Sequence, residues 1–209
     1  MILTLKKYAI CYWKENLDIE GEFCTKIWEI DAVAERYDSL RPENGYTYEE
    51  MMSFDGRSHK NDWTCRKVVP NINPKKNPKF GDRSECMGVL VFSQKAIEKL
   101  YDLIRDDVEI LPLECDYGEF SLINVTTVLD AIDHENSKYE YIEGTNKIMY
   151  FEKYAFLEDV VKGHDIFTIT DKSGICFFVS DRFVQTVERS KLKGFRFELA
   201  WDSEVPTTI

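Results

Sequence analysis

His59, His134 and His164 are the side chains best suited to acid–base work near neutral pH, because imidazole titrates there without perturbation. They stand far apart, and none has a second histidine at ligand spacing. Zinc needs three or four converging ligands, and no motif gathers them. Asp130 and Asp133 have the types of an acid–base pair. Paired carboxylates are also common on plain acidic surfaces. Gly163-His164-Asp165 offers an adjacent His–Asp dyad. Neighbours on a strand point to opposite sides, so the plainer expectation is a structural His164, its ring satisfied at a strand entrance. The chain has no G-x-S-x-G, no P-loop and no G-x-G-x-x-G. No catalytic residue, cofactor site or metal site is expected.

Two further sets of residues bear chemistry. Cys11, Cys24, Cys65, Cys86, Cys115 and Cys176 are scattered without a C-x-x-C pair, which suits buried free thiols in a reducing compartment. Between Arg66 and Lys79, Pro70, Pro74 and Pro78 are interleaved with asparagines and with Arg66, Lys67, Lys75, Lys76 and Lys79. Prolines cannot donate ladder hydrogen bonds, so this stretch is expected to be a surface loop. As a basic patch it could hold phosphate; a solvated loop is the simpler reading.

The elements that would position these residues are clearest near the C-terminus. Ile166, Phe167 and Ile169 suggest a short strand. Ile175 to Val179 is an apolar run typical of a strand buried on both faces. Ser180 precedes a helical pattern and should cap it, with Asp181 at the positive end of the dipole. Phe183, Val184 and Val187 share one helical face. Gly194 is placed to stop the helix or turn the chain. Phe195, Phe197, Leu199 and Trp201 alternate with Arg196, Glu198 and Ala200, as in a half-buried strand.

The same order, glycine then apolar strand then serine then helix, occurs at Gly88 to Arg105, where Ala96, Ile97, Leu100, Leu103 and Ile104 form the stripe. Val108 to Glu114 and Glu119 to Val125 should be strands around Asp116-Tyr117-Gly118. Tyr139 to Ile142 and Lys147 to Phe156 should pair across Glu143-Gly144-Thr145-Asn146. Upstream, Tyr8 to Trp13 and Phe23 to Ile30 have strand composition, Asp31 to Leu40 has helix formers, and a short helix should begin near Thr47. Strands and helices are mixed without regular βαβ alternation. The class is α+β, a mixed, mainly antiparallel sheet with a few helices.

Composition limits the partners. The net charge is −11. From Glu98 to Glu143 there are 13 acidic and three basic residues, so this segment carries −10 of it. Such a field repels nucleic acid and attracts basic proteins. No run approaches the roughly 18–20 apolar residues of a membrane span. The opening MILTLKKYAICYW lacks the apolar length and cleavage site of a signal peptide. A soluble, cytoplasmic protein is expected.

The residues G-H-D-I-F (163–167), F-V-S-D-R-F (178–183) and L-K-G-F-R-F-E-L-A-W (192–201) carry a resemblance. With Asn124-Val125, the D-A-I-D of Asp130 to Asp133, Ser137 and Tyr139, this series resembles a family of bacterial immunity proteins of polymorphic toxin systems, formerly a domain of unknown function. The likeness runs over about residues 79–201. The family usually has N-V-L where this chain has Asn124-Val125-Thr126. The first 78 residues resemble nothing we can name.

The resemblance divides the chain into a poorly legible N-terminal subdomain (1–65), a basic Pro/Asn-rich loop (66–83) and an immunity-family-like α+β domain (84–209). It implies a non-enzymatic protein that binds and neutralises a cognate, basic toxin by stoichiometric occlusion, with no cofactor and no nucleic-acid or membrane partner. The expected contact residues are Asp102, Asp106, Asp107, Glu109, Asp130, Asp133 and Glu135. The alternatives are an enzyme acting on a small or nucleotide-like substrate beside the basic loop and His164, or a non-catalytic scaffold.

Overall fold

The computed structural model describes residues 25–32, 37–71, 77–172 and 176–204. Thirteen strands and four helices alternate along them. They are β1 (Lys26–Ala32), β2 (Leu40–Pro42), α1 (Tyr48–Met52), β3 (Arg66–Pro70), β4 (Arg83–Cys86), β5 (Val89–Ser93), α2 (Gln94–Ile104), β6 (Val108–Cys115), β7 (Phe120–Val125) and β8 (Val128–Leu129). Then come β9 (Lys138–Tyr141), β10 (Ile148–Lys153), α3 (Glu158–Val161), β11 (Ile166–Ile169), β12 (Phe178–Ser180), α4 (Asp181–Arg189) and β13 (Phe195–Asp202). The class is α+β with mainly antiparallel pairing. The expected strand at Tyr8 to Trp13 lies outside the described residues.

The strands form a closed barrel in the order β2-β3-β6-β7-β5-β4, a five-stranded sheet β13-β1-β12-β11-β8, and a separate hairpin β9-β10. Barrel and sheet repeat one plan. In the barrel, the antiparallel pair β4-β5 feeds α2, β6 follows, and β7 lies between β5 and β6. In the sheet, the antiparallel pair β11-β12 feeds α4, β13 follows, and β1 lies between β12 and β13. The filling strand comes after its unit in one case and from far upstream in the other. The Gly–strand–Ser–helix echo in the sequence marks these two units.

Their joints are made alike. Ser93 caps α2 by accepting the Ala96 amide at 3.2 Å, and its hydroxyl donates to Asp82 Oδ1 at 3.0 Å. Ser180 caps α4 by accepting the Phe183 amide at 3.1 Å, and its hydroxyl donates to Asp165 Oδ1 at 2.5 Å. Each aspartate directly precedes the first strand of its unit, and its carbonyl accepts the amide of its serine. A basic residue two positions after each serine, Lys95 or Arg182, closes the ring on the same carboxylate. An N-cap hydroxyl satisfies an orphan amide of the first turn; the aspartate orients that hydroxyl.

α2 and α4 pack against each other between the two units. Phe92, Leu100, Ile104, Ile123, Val179 and Phe183 are among the buried residues of this shared core. The barrel interior holds a second core around Val91, Leu111 and Leu122. The outer face of the sheet holds a third around Phe156, Phe167 and Phe178.

Several expectations are corrected. Arg66 to Pro70 is strand β3, not loop: it pairs with β2 and β6, and the one proline falls at its last residue. Asp31 and Ala32 end β1 and Leu40 begins β2, so these positions are not helical. Of Ile175 to Val179, only Phe178 and Val179 are in a described strand. The largest correction is in β13. Ile27 pairs with Trp201 but Trp28 pairs with Leu199, so Ala200 is an extra residue in the register. This bulge reverses the side-chain alternation. Phe195 and Phe197 face the shared core, Trp201 and Ala200 face the outer core, and Leu199 is 49% exposed. The four do not share one buried face.

Gly194 (φ +89°) turns the chain into β13 where it meets the barrel. A Cβ there would stand 2.5 Å from the Arg83 carbonyl oxygen. The Asp82 and Arg83 amides donate to the Lys193 carbonyl, at 2.7 and 3.1 Å. The Lys193 amide donates to the Asp82 carboxylate at 2.7 Å. Barrel and sheet are therefore joined backbone to backbone.

Candidate partner-binding surface

The seven acidic positions expected at the contact surface separate into internal and external groups. Asp107 is buried. Its Oδ1 accepts the Thr127 hydroxyl at 2.7 Å and faces His164 Nδ1 at 2.9 Å. Its carbonyl accepts the amides of Thr126 and Thr127. The residue ties the start of β6 to the β7–β8 connection and to the entrance of β11. His164 thus finds its partner in Asp107, 57 positions away, while the adjacent Asp165 turns to Ser180 and Arg182.

Glu109 is half-buried in a cradle. It accepts the Ser58 hydroxyl, the His59 amide at 2.8 Å and Asn124 Nδ2 at 3.0 Å. Burial pushes its pKa up, but these hydrogen bonds outweigh burial and hold the carboxyl below its usual value. Asp133 forms a turn, accepting Asn136 Nδ2 at 2.7 Å and the amides of Glu135 and Asn136. The side-chain bond from Asn136 is the main reason its pKa is lowered.

Asp102 and Asp106 are exposed on either side of Arg105, at 3.5 and 3.6 Å. Asp130 and Glu135 are also exposed. Asp116 lies beyond the far end of β6, an eight-residue strand, hence about 20 Å from the α2 terminus. Screening at physiological salt acts over about 8 Å. Asp102 and Asp116 therefore lie beyond screening range of each other.

Two residues of the basic stretch are paired with acids. Arg66 pairs with Glu50 at 2.5 Å, and Lys67 lies 3.5 Å from Glu43 and 3.9 Å from Asp116. They border an open cleft of about 600 Å³ with Tyr46 and Cys65. Lys75 and Lys76 lie outside the described residues. A second cleft of about 380 Å³ is lined by Phe80, Asp82, Lys95, Tyr117, Phe120 and Lys193. Among the described residues no three His, Cys, Asp or Glu side chains converge as metal ligands, and no helix is long and apolar enough to cross a membrane. Cys65, Cys86, Cys115 and Cys176 are free thiols. Burial pushes the Cys86 and Cys176 thiols up to about 12.

One surface was not anticipated from the sequence. The hairpin β9-β10 stands apart from both sheets and exposes Tyr141 (54%), Met149 (48%), Ile142 (43%) and Tyr150 (42%). Its strand character was legible, and so was the turn. That these four side chains stay exposed could be learned only from the packing.

Residues 116–202 match the model of the immunity protein family (Imm11). The chain is similar to that family from the β6–β7 turn to the end of β13. The matched segment holds every motif on which the resemblance rests and begins later than Lys79. None of the curated proteins matches the chain. Within the segment, Asp165, Ser180, Arg182 and Gly194 act inside the fold: they cap α4, pair with one another or seat β13 on the barrel.

Proposed function

We propose that this chain is an immunity protein that binds a cognate bacterial toxin and neutralises it by stoichiometric occlusion, in the cytoplasm of the producing cell or its kin. The observation that carries this reading is the match of residues 116–202 to an immunity protein family. A net charge of −11 supports a basic partner, because an acidic protein steers basic partners toward encounter. The function requires no catalysis and no cofactor of this chain.

The test is to look beside this gene for a large secreted protein with a small C-terminal toxic domain and to co-express that domain with this chain. Growth should be restored by this chain and not by an unrelated acidic protein. The purified pair should elute as a stoichiometric complex. Continued toxicity at equal expression, with no complex formed, would refute the reading.

A further inference from the structure

The β9-β10 hairpin combines exposed apolar side chains with a rigid mount. A free two-stranded hairpin is marginally stable in water, so something must hold this one. At its base, the Ser137 hydroxyl donates to the Ala155 carbonyl at 3.2 Å and accepts the Ala155 amide at 3.0 Å. Lys172 Nζ donates to the carbonyls of Ile148 and Met149 at 2.8 and 2.7 Å. Phe151 stacks on Tyr154, whose ring continues onto Phe156 and Phe178 of the outer core. At the tip, the Ile142 amide donates to the Lys147 carbonyl at 2.8 Å, and Thr145 donates to Ile142 through both amide and hydroxyl.

The arm is therefore held at its base by Ser137 and beside its tip by Lys172, yet Tyr141, Ile142, Met149 and Tyr150 remain largely exposed. Tyrosine and methionine are over-represented at interface cores, and a tyrosine supplies a large contact area at little entropic cost. Both β10 strand irregularities, at Met149 and Glu152, interrupt the ladder, which discourages edge pairing with another strand. Side chains rather than the strand edge are left to make contact. Around them stand the exposed carboxylates of Glu135, Glu140, Glu143 and Glu152, against the exposed ammoniums of Lys138 and Lys147. The surroundings are net acidic.

We infer that the β9-β10 hairpin is the docking element for the toxin: Tyr141, Ile142, Met149 and Tyr150 enter an apolar depression on a basic toxin domain, and the surrounding glutamates pair with its cations. This rests on the reading of the chain as an immunity protein. Because the arm is held in place beforehand, little ordering cost opposes association.

The probe is the purified toxin domain that this chain neutralises in the co-expression test. Y141S/I142S/M149S/Y150S should raise Kd at least 100-fold and abolish protection, with the thermal melt of the free protein unchanged. Y48S and Y101S, at exposed tyrosines elsewhere, should change Kd less than threefold. E143K/E152K leaves the apolar residues intact and should slow association severalfold at low salt, with the difference shrinking as salt rises. This second variant decides the matter should the quadruple variant fold poorly. Hydrogen exchange of the wild-type complex should show new protection over residues 138–151. If wild type protects while the hairpin variants bind as tightly and residues 138–151 gain no protection, the docking inference is overturned and the immunity reading stands. If the quadruple variant changes only self-association, the hairpin is a contact between copies of this chain and the inference falls. If wild type neither binds nor protects, both fall.

Discussion

The Ser180 hydroxyl donates to the buried Asp165 carboxylate at 2.5 Å while accepting the Phe183 amide at 3.1 Å. One oxygen thereby caps α4 and fixes it to the strand pair that precedes it. Arg182 donates to the same carboxylate through Nε at 3.0 Å and through its terminal nitrogen. D165A should cost about 2–4 kcal/mol, since it removes a charge-assisted acceptor and disorients a cap. D82A breaks the equivalent joint at α2 and should cost a similar amount. Urea unfolding of both variants checks this.

Gly194 and Gly88 both have positive φ but different surroundings. Beside Gly194 a Cβ meets the Arg83 carbonyl; beside Gly88 there is open space. G88A should cost about 1–2 kcal/mol, the backbone penalty alone. G194A adds a collision with backbone and should cost distinctly more, with the sheet–barrel joint loosened. Thermal melts of the two variants provide the comparison.

The bulge at Ala200 sets the ranking of the aromatic substitutions. F183A removes a fully buried ring and should cost about 3–5 kcal/mol. Phe197 is half-buried at the edge of the same core, so F197A should cost clearly less. L199A, at a largely exposed position, should stay within about 1 kcal/mol. Equal losses for F197A and F183A would contradict the register described for β13.

Acidic residues close in sequence should behave oppositely on mutation. D102K/D106K alters exposed carboxylates and should leave stability within about 0.5 kcal/mol. D107A strips the buried acceptor from Thr127 and His164 and should cost about 2–3 kcal/mol. A charge-reversal test of toxin association must therefore leave Asp107 intact.

Glu109 contributes a pH dependence with a definite sign. Its folded pKa is lowered, so its stabilisation is complete above the unfolded value near 4.5 and is lost as pH falls through the lower, folded value. E109Q should be less stable than wild type at pH 7, and the two should converge in acid. Lowered pKa values at Glu50, Asp55 and Asp133 act in both proteins and cancel from the difference. Chemical denaturation at pH 7, 5, 4 and 3 measures it.

The sequence by itself determined most of the local elements after Gly88, though not the short β8 and α3. Ser93 and Ser180 announce helix starts because a cap is a contact between near neighbours. The turn at Asp116-Tyr117-Gly118 and the pairing of Tyr139 to Ile142 with the following strand were legible for the same reason: their signals lie within a few residues. The α+β class followed from the irregular order of those elements. The motifs of the family resemblance also lie in the sequence, and several of them turn out to be the joints of the two repeated units.

Only the tertiary structure decided how distant residues meet. Strand β3 was hidden because Pro70 looks like a breaker until its terminal position between β2 and β6 is seen. The reversal at Ala200 depends on the register against β1, which no periodicity in β13 reveals. Asp107 counts as one more acidic residue in the sequence; its burial depends on Thr127 and His164 arriving from other elements. The exposure of Tyr141, Ile142, Met149 and Tyr150 is likewise a fact about what else packs nearby. Caps and turns are decided by a few adjacent residues, whereas burial and charge clustering depend on contacts between segments whose separation along the chain carries no signal of their meeting.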